Sequence, residues 1–342
     1  MDIPKFYVRI RLIMYINIGN KRILFSKNHL KDNNKIFKII KNGLYNIISK
    51  KFNKNITHID ELFINGQKRF GNFLISLNHA IIFCEYLCCK RIVLGTLPNI
   101  YIKNKIFYRK YNLTIESSNI STYNNNSLIA NINFFYYYLN FKLLGNVNRF
   151  YILRKEILNN LPKVKIHPDD LFLYIRGGDI FINPISKYAQ PPLCFYETIL
   201  NQFNFRKVII ISEDKLSPII SILLKKYSYI KYKKNYIKLD ISVLTNSYNI
   251  VSAKSSFIIS IIKLNDNLKF LWEYDFYPLS ERYRHLHYSV YTFTFKYIIY
   301  KMTASEIYKK LMIPFIHSEK QKMLMIKEKC DINFNIIPSR IS

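Results

Sequence analysis

The sequence predicts an α/β protein made of two doubly wound domains that face each other across a cleft. Apolar segments of strand length, such as ELFIN and KVIII, alternate along the chain with longer segments of helical period. Uninterrupted Val/Ile strands are typical of a parallel sheet that is covered on both faces. This alternation occurs twice, on either side of an Asn- and Tyr-rich stretch over 110–165, so we expect two Rossmann-like domains.

The first predicted domain covers residues 58–165, including the linker, and follows an appended segment. Residues 1–57 are rich in Lys and Asn with weak periodicity, which predicts irregular structure. After them, ELFIN predicts a strand, GQKRFG a loop, NFLISLNHAIIFCEYLCCK a helix and RIVLG a second strand. The order is that of a β-α-β unit.

The second predicted domain covers residues 166–342 and ends in helices. DDLFLYIR and KVIIISED predict buried strands, and the prolines of PPLCFYETILNQF suit the start of a helix between them. LSPIISILLKKYS and YIKLDISVLTNSY predict helices, and NIVSAKSSFIISII predicts a strand, a Ser-Ser turn and a helix.

The composition indicates a globular protein with a solvated basic surface. The chain has 342 residues, 49% of them hydrophobic, and a formal net charge of +30, so it can bury a sizeable core. The lysines fall in short pairs, without the long basic run of a nucleic-acid-binding arm. Lys, Asn, Ile, Tyr and Phe are all abundant together, as in proteins from AT-rich genomes. We therefore expect no specific nucleic-acid partner.

Cysteine usage and hydropathy set further expectations. Five cysteines, three of them (Cys84, Cys88 and Cys89) in one helical segment, predict buried small side chains without a disulfide framework. The sequence has no Cys-x-x-Cys or Cys/His quartet, and the possible ligand pair His285 and His287 has no nearby carboxylate or Cys partner, so no metal is expected. The sequence has neither a clear signal peptide nor a membrane-spanning run. This favours a cytoplasmic or peripheral membrane location and leaves a role in the secretory pathway open.

Polar residues cluster where predicted strands of the second domain end. The first strand runs into Arg176-Gly177-Gly178-Asp179, the next into Ser212-Glu213-Asp214, and a third into Ser255-Ser256. Ligands of α/β sheets bind at the carboxyl ends of strands. Arginine and a helix N-terminus together favour a diphosphate. The alternative interpretation is an ordinary turn with a salt bridge and a plain helix N-cap.

Four blocks, taken in order over residues 58–275, resemble a known family. YIRGGDIF followed by YAQPPLCFY is similar to the HxRxGDxF…YxQPPLxYY core of glycosyltransferase-like proteins related to the fucosyltransferase superfamily, which includes α-1,2-, α-1,6- and protein O-fucosyltransferases. RFGNFLISLNHAIIFCEYL resembles their N-terminal Gly-Asn loop and helix. IIISEDKLSPII and DISVLTNSYNIVSAKSSF resemble the central strand with its acidic turn and the donor-binding block.

The resemblance implies a GT-B-like glycosyltransferase that uses a GDP-sugar donor, GDP-fucose, without a metal or further cofactor. A glycan or glycoprotein is the implied acceptor. Arg176 matches the arginine that neutralises the donor's phosphate as the sugar leaves, and Asp240 the acidic residue that holds guanine. The implied donor-binding set is Gly71, Asn72, Arg176, Gly177, Gly178, Asp214, Asp240, Ser255, Ser256 and Phe257.

Two departures from the family signature leave an alternative open. Tyr174 stands where the signature has His, and Gly177 stands where it has a second Arg. Asp179 and Glu213 are the candidate catalytic bases, with a structural role for Asp179 equally open. The alternative function is an inactive protein of the same fold that binds sugar or nucleic acid.

Overall fold

A computed structural model describes residues 14–18, 21–25, 58–65, 69–95, 105–109, 112–117, 127–131, 150–182, 189–253, 255–276, 297–330 and 333–338. The chain divides into two compact units. The first comprises residues 1–67 and 76–149, and the second comprises residues 68–75 and 150–342. Each unit contains a sheet in which most strands are parallel.

The first unit contains a five-stranded sheet with a doubly wound order. Its strands are β3 (Glu61–Asn65), β4 (Arg91–Leu94), β5 (Ile106–Tyr108), β6 (Leu113–Ser117) and β7 (Ser127–Asn131). Helix α1 (Phe70–Leu87) follows β3, and its residues up to 75 cluster with the second unit while the rest belong to the first. The sheet order is β5-β6-β4-β3-β7, and only the β5–β6 pair is antiparallel. The parallel strands are therefore wound outward in both directions from β3, as in Rossmann-like folds.

The N-terminal segment contains regular structure that the sequence analysis did not predict. Strands β1 (Met14–Ile18) and β2 (Lys21–Phe25) pair antiparallel, with Ile18 opposite Lys21. The two residues between them, Gly19 and Asn20, are of the type that allows a tight hairpin turn. The hairpin signal was present in the sequence, although the weak periodicity around it had favoured irregular structure.

The second unit is larger and holds the predicted strand ends. Its first elements are α2 (Phe150–Asn159), β8 (Asp170–Tyr174), α3 (Asp179–Ile182), α4 (Leu193–Gln202), β9 (Lys207–Ile211), α5 (Pro218–Lys226) and β10 (Ile230–Lys233). They are followed by α6 (Ile237–Thr245), β11 (Asn249–Ser252), α7 (Ser256–Leu264), β12 (Phe270–Asp275) and β13 (Ile298–Thr303). The chain continues through α8 (Glu306–Met312), α9 (Glu319–Lys327) and β14 (Asn335–Pro338).

The strand order of this sheet confirms the predicted fold class. It runs β10-β9-β8-β11-β12-β13-β14, and only β14 is antiparallel to its neighbour. Numbered along the chain, the six parallel strands stand in the order 3-2-1-4-5-6, which is that of dinucleotide-binding domains. All four residues of β11 are buried, as expected for a central strand with both faces covered.

The division between the units falls at residue 149, whereas the sequence analysis had placed the second domain from residue 166 onward. Helix α2 clusters with the second unit, and its Arg154 reaches the end of α7. The Arg154 Nε–H donates to the Leu264 carbonyl at 2.9 Å, and the guanidinium pairs with Asp266 at 2.5 Å. None of the helices in the described ranges combines the length and apolar character needed to cross a bilayer.

A disulfide corrects one expectation from the sequence. Cys194 on α4 is bonded to Cys330, which follows α9, with the two Cα atoms 5.6 Å apart. The expectation of no disulfide was wrong because the partners lie 136 residues apart, so sequence spacing carries no signal. Cys84 and Cys89 are buried free thiols as predicted, whereas Cys88 is exposed.

Candidate active site

The candidate site lies at the carboxyl ends of β8, β9 and β11, within the second unit. β8 pairs with β9 on one side and with β11 on the other, so the winding of the sheet reverses between β8 and β11. Ligands of open α/β sheets bind at this switch point. The loops that follow these strands contain Arg176-Gly177-Gly178, Ser212-Glu213-Asp214 and Ser255, as the sequence analysis predicted.

Asp214 ties the loop after β8 to the loop after β9. Its Oδ2 accepts the backbone N–H of Gly178 at 2.8 Å, and its Oδ1 accepts that of Leu216 at 3.0 Å. A Cβ atom on Gly177 would lie 2.4 Å from Asp214 Oδ1 and 2.9 Å from Ser212 Oγ. Gly177 is therefore required by the close approach of the Asp214 carboxylate, and a second arginine has no room here in this arrangement.

Gly178 is required for a different reason. Its φ of +62° lies in the left-handed region that side-chain-bearing residues rarely adopt. A Cβ atom there would also lie 2.2 Å from Glu213 Oε2. Glu213 is exposed, and its side chain extends over the Gly177-Gly178 peptide region. The two adjacent glycines are thus required for different reasons, Gly177 by the contact with the Asp214 carboxylate and Gly178 by its backbone conformation.

Ser255 and Tyr174 connect β8 to the start of α7. Ser255 caps α7, since its Oγ accepts the N–H of Ile258 at 3.2 Å. The Ser255 hydroxyl lies 3.5 Å from the Tyr174 hydroxyl, and the Tyr174 ring packs on Phe257 with centroids 5.3 Å apart. Tyr174 therefore holds the positive end of the α7 dipole beside the loop that begins with Arg176.

Charged groups of the predicted donor site surround the Tyr174 hydroxyl. Burial raises the pKa of Tyr174, while the Ser255 hydrogen bond and the positive charge of Arg176 oppose that rise. The negative charges of Glu213 and Asp240 act in the same direction as burial and also raise the pKa of this hydroxyl. These interactions place Arg176, Glu213 and Asp240 in one electrostatic neighbourhood. Because its pKa is raised from 10, Tyr174 is neutral at physiological pH.

Asp240 is a buried carboxylate in the first turn of α6. Its Oδ1 accepts a hydrogen bond from Asn235 Nδ2 at 2.8 Å. Burial raises the pKa of Asp240 from 3.8 to about 6, although the Asn235 hydrogen bond acts in the opposite direction. With this pKa the carboxyl is mostly ionised at neutral pH. Among the described residues its hydrogen-bond partner is the neutral Asn235 amide, and no ion pair to a cation is formed.

Gly71 and Asn72 begin α1 and contact α7 through Gly71. A Cβ atom on Gly71 would lie 2.4 Å from backbone atoms of Ser256 and Phe257, and the Ser260 hydroxyl donates to the Gly71 carbonyl at 3.2 Å. Close helix packing therefore accounts for Gly71. The Oδ1 atom of Asn72 is buried without a hydrogen-bond partner in the described part of the chain, so the donor-binding role of both residues stays a prediction.

Two further polar residues lie at the site, Ser212, which the sequence predicts, and Asn235, which it does not. Ser212 is 2% exposed, and its hydroxyl has no hydrogen-bond partner among the described residues, although it faces Gly177. Asn235 is identified as a site residue only by the structure, in which its Nδ2 donates to Asp240 Oδ1. The end of the predicted strand indicates Ser212, whereas nothing in the sequence distinguishes Asn235 from the many other asparagines.

The proline block before α4 is a structural support. Pro192 is the N-terminal flanking residue of α4, and the Tyr308 hydroxyl donates to the Gln190 carbonyl at 2.8 Å. Tyr188 lies outside the described residues. Asp179 is the first residue of α3, and its side chain also lies outside the described part, so its predicted role as a base stays a prediction. Within the described ranges, no three His, Cys, Asp or Glu side chains are grouped as metal ligands would be.

Comparison with known proteins adds a distant structural likeness. No family model matches the sequence, and no curated protein matches it. Among solved structures, the chain is similar to a dodecameric iron-containing heptosyltransferase, TibC, in complex with ADP-D-β-D-heptose. The identity is 12% and the TM-score 0.39, and the match covers 64% of this chain and 59% of that one. The match thus spans less than two thirds of that protein, and the fold assignment rests on strand order alone.

Proposed function

We propose that the protein is a GT-B-like glycosyltransferase that transfers fucose from GDP-fucose to a hydroxyl of a glycan or protein acceptor, without a metal ion. The observation that carries the proposal is that the Arg176 loop and the N-terminus of α7 follow the two strands that flank the switch point. The buried carboxylate of Asp240 is the third group, and its charge acts on the same Tyr174 hydroxyl as that of Arg176. The resemblance of four sequence blocks to the fucosyltransferase superfamily gives the reaction.

The first two groups suit a departing diphosphate. When a sugar leaves a nucleoside diphosphate, negative charge develops on the phosphate oxygens, and groups that neutralise it stabilise the transition state. A guanidinium donates two parallel hydrogen bonds to phosphate. The N-terminus of α7, a nine-residue helix, offers backbone N–H groups and a positive dipole. Arg176 and α7 would supply the positive charge that a metal supplies in other enzymes.

Asp240 suits the guanine base. Guanine presents an N–H and an amino group side by side on its Watson–Crick edge, and one carboxylate can accept from both. Uracil presents a single N–H between two carbonyl oxygens, which a carboxylate repels. The 2.8 Å hydrogen bond from Asn235 fixes the orientation of the Asp240 carboxylate. The carboxylate would therefore accept hydrogen bonds from the Watson–Crick edge of guanine in a defined geometry.

Glu213 is the described carboxylate available to accept the acceptor's proton. It is exposed, extends over Gly178 and carries charge close to Tyr174. A general base must reach the attacking hydroxyl while the leaving group departs on the opposite side of the sugar. Asp179 remains the second candidate for this role.

The test is donor turnover by the full chain. Purified protein is incubated with GDP-fucose, GDP-mannose and UDP-glucose in the presence of a chelator, and release of nucleotide is followed by chromatography. We expect slow release of GDP from GDP-fucose even without an acceptor, since water can replace the acceptor hydroxyl. We also expect that release to fall at least tenfold in Glu213→Gln or in Arg176→Lys.

The same assay distinguishes the inactive alternative. GDP-fucose that binds but is not cleaved, with or without a panel of glycan acceptors, would indicate a binding protein of the same fold. Failure of all three donors to bind would contradict the proposed function outright.

A further inference from the structure

A basic and aromatic segment forms the outer edge of the second unit's sheet. Six of the fourteen residues from Lys225 to Lys238 are lysine, four are tyrosine and none is acidic. The whole chain has 52 Lys and Arg in 342 residues, so lysine is locally concentrated well beyond the average composition. A general compositional bias does not account for this concentration. We refer to Lys225, Tyr229, Lys231, Lys233, Lys234, Tyr236 and Lys238 as the basic edge.

The strand pattern directs the lysines of this segment outward. β10 is the outermost strand of the sheet, and its residues alternate between the two faces. Ile230 is buried and Tyr232 packs against the core, whereas Lys231 and Lys233, which alternate with them, are exposed. Neither lysine forms an ion pair with a described residue, in contrast to Lys226, which pairs with Glu197 at 2.6 Å. Their charges are therefore available to an external anion.

Two tyrosines of the basic edge present their rings to solvent. Tyr229 is 51% exposed and Tyr236 is 61% exposed. Amphipathic rings of this kind are concentrated at binding surfaces, since the ring face packs while the hydroxyl still forms hydrogen bonds. Lysines on an edge strand also discourage edge-to-edge pairing, but that role gives no reason for exposed aromatic rings beside them.

The basic edge continues into the candidate site. Tyr236 is the N-terminal flanking residue of α6, and its carbonyl accepts the N–H of Asp240 at 3.2 Å. Tyr232, between the two exposed lysines, donates from its hydroxyl to the Ser212 carbonyl at 3.4 Å. The acidic groups at this end are Asp214, Asp240 and Glu213, which belong to the candidate site itself. A chain bound along the lysines would thus lead toward the site.

We infer that the basic edge binds the acceptor, and that the acceptor is an anionic glycan carrying carboxylate, sulfate or phosphate groups along its chain. This inference rests on the proposed function, which gives the reason to choose a glycan over a nucleic acid. Exposed lysines provide charge attraction, and Tyr229 and Tyr236 provide flat surfaces for sugar rings. Such binding is dominated by ion release and weakens as salt rises.

The test compares two double charge reversals in the full chain. Lys231→Glu with Lys233→Glu changes the basic edge, and Lys320→Glu with Lys327→Glu changes two exposed lysines on α9 by the same net charge. Fluorescence anisotropy measures binding of labelled heparin, labelled neutral dextran and a labelled single-stranded RNA, each at several salt concentrations. GDP binding by calorimetry is measured in every variant.

We expect heparin to bind, dextran not to bind, and heparin affinity to fall at least tenfold in the basic-edge variant while the α9 variant changes less than threefold. Equal losses in the two variants, or no heparin binding, would overturn the inference. RNA bound more tightly than heparin, and lost with the basic-edge variant, would also overturn it in favour of a nucleic-acid surface. GDP binding should survive in both variants. A protein that binds heparin through the basic edge but does not bind GDP would contradict the proposed function alone.

Discussion

Asp214 accepts the backbone N–H of Gly178 at 2.8 Å with one carboxylate oxygen and the backbone N–H of Leu216 at 3.0 Å with the other. One side chain thus fixes the loop that carries Arg176 relative to the loop that carries Glu213. Neither loop contains regular structure at these positions, so the carboxylate substitutes for the hydrogen bonds that a strand or helix would provide.

Replacing this carboxylate should loosen both loops. We expect Asp214→Ala to lower the free energy of unfolding by about 1–3 kcal/mol, because two N–H groups lose a charged acceptor. It should also weaken GDP binding, since Arg176 is no longer held in place. Chemical denaturation and calorimetry measure the two effects. Asp169→Ala, at an exposed aspartate, should change stability by less than about 0.5 kcal/mol. Equal effects of the two substitutions would contradict the role of Asp214.

The two adjacent glycines should respond differently to substitution. Gly178→Ala should cost about 1–2 kcal/mol of stability because of its positive φ, and Gly178→Asn should restore part of the loss, since Asn tolerates that conformation. The overlap with Glu213 is relieved by moving an exposed side chain. Gly177→Ala must instead displace the Asp214 carboxylate, so we expect a larger loss of GDP affinity. Thermal unfolding and calorimetry on the three variants check this, and an identical pattern for Gly177→Ala and Gly178→Ala would count against it.

Asp240 should make stability depend on pH in an unusual direction for a carboxylate. Its folded-state pKa is raised to about 6, above its ordinary value of 3.8. The protonated form is therefore favoured in the folded state. The resulting stability is fully present below about pH 4 and is lost as pH rises through about 6. Asp240→Asn removes this dependence, so the variant should gain stability relative to the wild type between pH 4 and pH 7. Denaturant unfolding across that range measures the difference, and a constant difference would show that the carboxyl titrates normally.

Ligand binding should show the opposite trend at Asp240. Guanine needs the ionised carboxylate, so GDP affinity of the wild type should fall as pH drops below about 6. Calorimetry at several pH values tests this together with the stability curves.

The disulfide should stabilise the second unit. Cys194 and Cys330 close a loop of 136 residues, and a crosslink of that span restricts the unfolded chain by about 4–5 kcal/mol in the chain-entropy treatment. Cys330→Ser should lower the melting temperature under non-reducing conditions by several degrees. Cys88→Ser, at an exposed free cysteine, is the matched control. If a reducing agent left the wild-type melting temperature unchanged, the bond would not form in the folded protein.

The sequence predicts those parts of the fold and site that depend on residues close together in the chain. Runs such as KVIII identify covered parallel strands, and the glycines after Arg176 mark the end of the strand that precedes KVIII in the chain, so strand ends and candidate site residues could be placed together. Contacts between distant segments were not predictable. The Cys194–Cys330 bond, the packing of Gly71 on Ser256 and the bond from Asn235 to Asp240 depend on how elements pack, which no local pattern encodes.

Gly177 is a further case in which a contact between distant segments leaves no local pattern. From the sequence alone, this position indicates a missing arginine. The small size of Gly177 is needed because Asp214, 37 residues later, occupies the space that a side chain would fill. The glycine at this position therefore has a structural cause within this chain, namely the contact between the two loops.

The central claim is that Arg176 and the switch-point loops bind the diphosphate of a guanine nucleotide. Calorimetric titration of GDP into the wild type, Arg176→Ala and the surface control Lys327→Ala, at moderate salt with a chelator, tests it most directly. We predict that the wild type and Lys327→Ala bind GDP alike, and that Arg176→Ala loses about 2 kcal/mol or more, the usual contribution of a charge-assisted phosphate contact. Wild-type protein that binds no GDP, or an Arg176→Ala variant that binds it as tightly as the wild type, would contradict the claim.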